Sequence, residues 1–351
     1  ILAQDLFRRL AQPSQMAMVN KPGRGPGSYA FVDQYAPDAT KALKCLFVTL
    51  MLWITASLLH HWNPCVSTLC LAGLSKVRVF MVFHDACHNS FFETKRNNLL
   101  LAYLLSPIIV KSPENWKRTH NHHHAHLGNE EVFDGSLTVW YSRNELMKRS
   151  PLYRNTFRFV RDPFFFHIFF PLWIFYFPSP SSVSAAQIGA WTVSPLLAYI
   201  FGAGASSAWL EVQSLWVGAA VGTVLFHLQH QCNTPVPPHN AYRVPAKERT
   251  LLDAGLKGST HLEVAGPLSI ATLGIEFHHI HHMNTRVPCY SLAECHAEGD
   301  KMGMWREVNH VGPTRAFLSL FHTLYSDACD KKSEVLHFVA FEPYQSLGLH
   351  D

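Results

Sequence analysis

Charge is scarce in this chain: Asp, Glu, Lys and Arg supply only 15% of its 351 residues, against roughly 25% in ordinary soluble domains. Phe, Trp and Tyr reach 13%, a composition suited to a protein solvated partly by lipid. There is no block of Lys and Arg, and a formal charge of +4 is too small to argue for nucleic acid as a partner. The chain also has no CxxC pair. Its eight cysteines (Cys45, Cys65, Cys70, Cys87, Cys232, Cys289, Cys295 and Cys329) are scattered, several within apolar stretches, which excludes a disulfide scaffold. Internal repeats, low-complexity tracts and a second domain are lacking as well. From residue 231 onward no apolar run is long enough to cross a bilayer. Yet a chain that is 48% apolar is not made of spans alone, so a few spanning helices under a substantial aqueous cap are expected.

Four apolar runs set the expected fold, an all-α integral membrane protein with four transmembrane helices in two hairpins, interfacial helices and a His-rich cap. Residues 42–59 form the first span and residues 65–83 the second, joined by the short turn 61–64. Lys76 and Arg78 fall in the later half of the second run, where an isolated charge in lipid costs several kcal/mol, so that helix is expected to leave the hydrocarbon midway. Residues 98–110 are apolar but short for a span and are expected to lie in the interface or re-enter. The stretch 111–161 carries nine Lys and Arg, which places it on the positive side of the membrane. Residues 163–177 are aromatic and Pro-bounded, an in-plane element or a further span. Runs 186–202 and 207–226 make the second hairpin, joined through Gly204, Ala205 and Ser206, small residues that permit close helix approach. Four spans return both termini and every His cluster to the positive side.

Histidine is the anomaly. There are 23, of which 13 fall in four short segments. His84 and His88 stand four apart on one helical face at the end of the second run, a spacing that lets two imidazoles bind a common metal. In the run 120–126, His120, His123 and His124 share a face, leaving His122 and His126 over. The run 278–282 repeats that pattern with His278, His281 and His282, and His279 is the extra ring. His227 and His230 close the last apolar run. A single HxxxH is more often structural than ligating, and a His-rich run can be a loose zinc-binding tract. Three clusters with ligand spacing, two of them delivered by spans to one membrane face, argue for a shared site. Eight or nine imidazoles exceed what one tetrahedral zinc takes, so two metals are implied. Imidazole suits Zn, Cu, Fe or Ni; oxidation of an unactivated lipid methylene would require a redox-active ion, which favours iron.

The boxes HDACHNSFF, WKRTHNHHHAHLGN and EFHHIHHMNTRVPCY resemble the three His boxes of membrane fatty-acid desaturases, in particular the acyl-lipid omega-6 (delta-12) branch. The likeness runs over residues 40–300, with FHLQHQ before the last box and DAGLKGS at 253–259. It implies a desaturase domain over 41–300, preceded by an amphipathic or loop segment (1–40) and followed by a C-terminal cap segment (301–351). It further implies two iron ions held by His84, His88, His120, His123, His124, His230, His278, His281 and His282, with O2 as co-substrate and no catalytic side chain beyond the metal site. Asp85, Asn121, His122, His126, His227, Glu276 and His279 would orient or surround the ligands. Two electrons must come from outside. The chain carries no haem-binding or iron-sulfur pattern, so the donor would be a separate ferredoxin or cytochrome b5, received on basic residues such as Lys117, Arg118, Lys148 and Arg149.

One stretch departs from the family pattern, which reads close to GN-I-G-F-HH before the last box; here it is Leu273-Gly274-Ile275-Glu276-Phe277. The Asn is lost and a Glu stands beside the ligands. Two other readings therefore stay open: a desaturase-like structural subunit of a larger organellar membrane complex, and a di-iron lipid hydroxylase or ketolase. Residues 1–31 carry Arg8, Arg9, Lys21 and Arg24 against the single acid Asp5, which resembles the remainder of an organellar presequence. The expected location is a mitochondrial inner membrane, a plastid or the endoplasmic reticulum. The Gly/Pro-rich stretch 21–27 reads as a surface loop.

Overall fold

The computed structural model describes residues 29–129, 131–132, 143–171, 183–201, 204–230, 242, 244–264, 266–321, 324–325 and 338–339. The presequence-like start, the loop 21–27 and residues 172–177 of the aromatic element lie outside the described residues.

The first helix, α1 (Ala39–Trp62), starts where the Asp38 side chain accepts the backbone N–H of Lys41 at 2.7 Å, an N-cap that satisfies one of the orphan donors of the first turn. After a three-residue turn, α2 (Val66–His88) is opened by a capping box between Cys65 and Thr68 and closed by Asn89 in the left-handed conformation, φ 58°, a role that Asn fills readily. Then come α3 (Lys95–Ile109), α4 (Pro113–His126), the short α5 (Arg143–Met147), α6 (Pro151–Val160) and a π-helical turn at Phe165–Phe169. Helices α7 (Ala185–Phe201) and α8 (Ala205–Gln229) follow. The cap is completed by α9 (Leu251–Gly258), β1 (Thr260–Leu262), α10 (Gly266–Thr272), α11 (His278–Met283), α12 (Cys289–Lys301), β2 (Asn309–Val311) and α13 (Pro313–Ser319). Strands β1 and β2 pair in parallel, His261 opposite His310. A second pair, β3 (Leu324–Tyr325) and β4 (Phe338–Val339), is antiparallel.

By length and composition, α1, α2 and α8 are able to cross a membrane, as three of the four expected spans. The fourth, α7, has 17 residues with Pro195 inside. The chain is an integral membrane protein of several apolar helices, with side chains such as Phe47, Leu58, Leu99, Leu104 and Ile200 turned outward. α2 is central: it packs against α1, α3 and α8, and its last three turns are almost wholly buried.

That burial shows how the two charges in the later half of α2 are accommodated. Lys76 faces inward and its Nζ donates to Glu211 Oε1 on α8 at 2.6 Å, the two side chains being 3% and 7% exposed. Ser194 Oγ on α7 donates to the same oxygen at 2.7 Å. Arg78 donates through Nε to Thr49 Oγ1 at 3.0 Å and through Nη1 to the Ile270 carbonyl. Lys76 is paired with a carboxylate, Arg78 is held by neutral oxygens, and α2 runs unbroken into the first His box. The run 98–110 likewise forms α3, which lies on α2 and α7. Gln187 ties α7 to the α3–α4 junction: its Oε1 accepts from Ser112 N at 3.0 Å and its Nε2 donates to Val110 O at 3.3 Å.

Candidate metal centre

Four helices bring the box histidines to one place. His84 and His88 end α2, His120, His123 and His124 lie along α4, His230 caps α8, and α11 carries His278, His281 and His282. The nine imidazoles sort into two groups. In the first, ring nitrogens of His84, His88, His120, His124 and His281 all lie within 4.8 Å of one another, and in the second those of His123, His230 and His282 do the same. His278 joins the second group, with its Nε2 3.1 Å from His230 Nε2 and 3.0 Å from His282 Nε2. The middle box is split, His120 and His124 serving one group while His123 serves the other. An i, i+3, i+4 helical face is wide enough to reach two centres at once.

The arrangement fits cations better than a network of hydrogen bonds. His120 Nε2 stands 2.8 Å from His84 Nε2 and 3.1 Å from His124 Nε2. One ring nitrogen carries either a proton or a lone pair, and the lone pairs of three converging nitrogens need an electrophile between them. His88 Nε2 is buried with no hydrogen-bond partner among the described residues. Burial, reinforced by neighbouring imidazoles, pushes His120, His124, His278, His281 and His282 well below the usual histidine range. They are therefore neutral at pH 7, the form that ligates metal.

Tautomers are set from outside the groups. Asp85 Oδ1 accepts from His84 Nδ1 at 3.0 Å, and Asp85 Oδ2 accepts from Cys289 N at 2.5 Å, so the carboxylate is fixed by α12 and aims the His84 Nε2 lone pair inward. His230 Nδ1 donates to Gly258 O at 3.1 Å with the same result. Replacing Asp85 with Asn is expected to weaken metal binding about 10- to 100-fold, read by competition with a chelator; unchanged affinity would mean that His84 is held by something else.

The other expected neighbours divide. Asn121 is half-buried on α4. His122 and His126 pair with each other, ring centroids 4.2 Å apart, and His126 Nδ1 donates to His122 O. His227 Nε2 donates to Ser319 O at 3.0 Å, toward α13. Glu276 Oε2 accepts from Thr272 Oγ1 at 2.7 Å, and burial raises its carboxyl above the usual range. His279 packs into a separate ring cluster of the cap with His261, His296 and Trp305. Of the seven, Asp85 is the one that hydrogen-bonds a box imidazole directly in the contacts described above. The departure before the third box has a backbone explanation. Leu273 and Gly274 are both left-handed, φ 50° and 84°, and Gly takes that conformation as freely as Asn. A Cβ at Gly274 would also lie 2.7 Å from Cys289 O.

Beneath the imidazoles, between α2 and α8, lies a cavity of about 140 Å³. Phe80, Met81, Leu215, Gly222 and Phe226 line its walls, while His84, His120, His123 and His278 stand at its upper end. Both imidazole groups therefore face one apolar channel. Trp116 stacks on His120 at 4.7 Å, and Phe226 lies 5.1 Å from both His123 and His230, so aromatic walls hold the rings that meet the cavity.

Residues 60–304 match the fatty acid desaturase family. A fatty acid desaturase of Bacillus subtilis is 26% identical over 62% of the chain and 63% of its own length. An sn-1 oleoyl-lipid 12-desaturase of Synechocystis is 24% identical over 64% of the chain and 65% of its own, and a chloroplastic omega-6 fatty acid desaturase of Arabidopsis thaliana is 25% identical over 74% and 59%. The chain thus spans less than two thirds of the length of each.

Proposed function

The chain belongs to the fatty acid desaturase family, and on that premise we propose that it introduces a double bond into a lipid acyl chain at a histidine-ligated di-iron site, using O2 and an external electron donor. The observation that carries this reading is the cavity: an apolar channel between membrane helices ends on histidines from both imidazole groups. His84, His88, His120, His124 and His281 would hold one iron, and His123, His230, His278 and His282 the other. Bound there, the iron pair would supply the activated-oxygen chemistry that removes hydrogen from adjacent methylenes.

The chain's own residues position and exclude. Phe80, Met81 and Phe226 press the acyl chain against the imidazole face and keep water from it, since apolar walls give water no partner. Asp85, held by Cys289 N, keeps His84 in one tautomer throughout. The narrow channel between two packed helices admits a single extended chain and orients its methylenes toward the histidines, the entropic part of the rate advantage. Two of the four electrons that reduce O2 to water come from the acyl chain and two from outside, so a ferredoxin or cytochrome b5 would dock on the cap. Lys117, Arg118, Lys148 and Arg149 are exposed there and suit an acidic donor. We read α1 and α2 as one spanning hairpin and α7 and α8 as the other.

Expression in a desaturase-deficient host followed by lipid profiling tests the reading. New double bonds in host acyl chains are expected. Unchanged unsaturation with a folded, iron-loaded protein would contradict it.

A further inference from the structure

Histidines outside the two imidazole groups gather in the cap, where His261, His279, His296 and His310 form a second cluster of rings. Its pattern begins in the strands. Successive side chains of a strand point to opposite faces, and Thr260, Leu262, Asn309 and Val311 are buried, so His261 and His310 are turned together to the other face. The parallel register sets them opposite each other, and Nδ1 of one lies 3.0 Å from Nδ1 of the other. Backbone bonds hold both strands: Glu263 N donates to Val311 O and Leu262 N to Glu276 O, each at 3.0 Å. The His261 ring packs on Phe277 and His296, centroids 5.0 and 4.4 Å away, and Trp305 Nε1 donates to His296 O at 2.8 Å. His261 is therefore fixed, whereas His310 is exposed.

Two ring nitrogens at that separation suit one ion. With metal–nitrogen bonds of about 2.05 Å, the 3.0 Å spacing closes an N–metal–N angle of about 94°. A tetrahedral ion with the same bond lengths would need about 3.35 Å between the two nitrogens. A near-right angle is the cis arrangement of a tetragonal ion. Copper(II) prefers that geometry and stands at the top of the divalent affinity order for nitrogen ligands. Burial, reinforced by the neighbouring His296 and His310, pushes His261 down to about 3, so its ring is neutral at pH 7, the form that ligates metal. The exposed side of His310 leaves water free to complete the coordination.

We propose that His261 and His310 form a copper(II) site in the cap, a two-imidazole chelate completed by water that clamps β1 to β2. The site is independent of the desaturase reading, since neither residue belongs to the two imidazole groups. The clamp acts beside the third box. His261 is bridged to Phe277, the residue before His278, and the Glu276 carbonyl already receives Leu262 N. His279 leaves the ligating face of α11 for the same cluster, its Nε2 3.3 Å from His296 Nδ1. An ion held by the two strands therefore steadies the segment from which α11 starts.

Electron paramagnetic resonance of the purified full-length chain tests the site. The protein is loaded with iron, its exposed Cys65 and Cys70 are alkylated, and copper(II) is added to one equivalent with glycine present to hold stray ion. A tetragonal signal split by two nitrogens is expected, together with a higher midpoint of thermal unfolding. His310→Gln keeps a hydrogen-bonding group beside His261 but removes the imidazole. It is expected to lower copper affinity at least about tenfold, the low end for losing even an outer partner of a ligand, with iron content unchanged. His261→Phe, which continues the stack on Phe277, makes the same test from the other strand, and His122→Ala on α4 should leave the signal as it was. A signal that survives both His310→Gln and His261→Phe, or that His122→Ala abolishes, would overturn the proposal. So would a parent protein that takes up no copper, which would leave His261 and His310 a hydrogen-bonded pair only. Should the imidazole groups hold no iron, the difference between parent and variant still isolates the cap site, so failure of the desaturase reading leaves this test intact.

Discussion

Replacing His120 with alanine is expected to abolish product and to reduce bound iron from two ions per chain to one or fewer. His120 Nε2 stands between His84 Nε2 at 2.8 Å and His124 Nε2 at 3.1 Å, and its ring is stacked on Trp116. Its loss removes one donor from the first group and leaves a ring-sized gap at the head of the cavity. His123→Ala makes the complementary test, because His123 belongs to the second group. Each variant should lower activity by at least about 100-fold, the scale on which even an outer partner of a ligand matters. Each should deplete a different ion, distinguishable by the spectroscopic signal of the one that remains. Full iron content or surviving product in either variant would contradict the assignment of these rings.

Lys76→Met is the second substitution with a large expected effect, and it acts on stability. The ammonium is the direct partner of Glu211 in a site where both side chains are almost fully enclosed. Removing one partner of a buried pair is expected to cost about 3–5 kcal/mol, because the remaining charge stays buried and unpaired. The double variant Lys76→Met with Glu211→Met exchanges the pair for apolar bulk of similar length and should recover most of that loss. Thermal unfolding in detergent measures both. A single variant as stable as the parent would show that Glu211 finds another partner, and a double variant no better than the single would show that packing, not charge, is at stake.

The contrast between these two sites explains what the sequence made legible. The box histidines were readable because ligation imposes spacing: rings that meet one centre from a helix must stand three or four residues apart. The partition into two groups was not readable, since the neighbours of His120 and His123 come from α2, α8 and α11, and which ring meets which depends on how those helices pack. Asp85 was visible because it is adjacent to His84, whereas its second support, Cys289 N, comes from 204 residues away.

The helices themselves followed from hydropathy, within a few residues at each end. The role of Lys76 and Arg78 did not. A charge in an apolar run reads as a break when its partner is unknown, and the partner of Lys76 sits 135 residues on. A signal was present: Glu211 is the only Asp, Glu, Lys or Arg in α8 (Ala205–Gln229), and an acid in one span opposite a base in another is a pairing hypothesis by default. Glu276 shows the same dependence on packing. Its position next to the third box suggested contact with an imidazole, but its carboxylate turns to Thr272, and the backbone turn that precedes it is served by Gly274.

Iron stoichiometry of the intact, anaerobically purified protein, determined alongside zinc and copper, tests the central claim most directly. Two irons per chain, matching the two imidazole groups, are predicted. A single metal per chain, or zinc in place of iron under iron-replete expression, would contradict a di-iron centre built from these nine histidines.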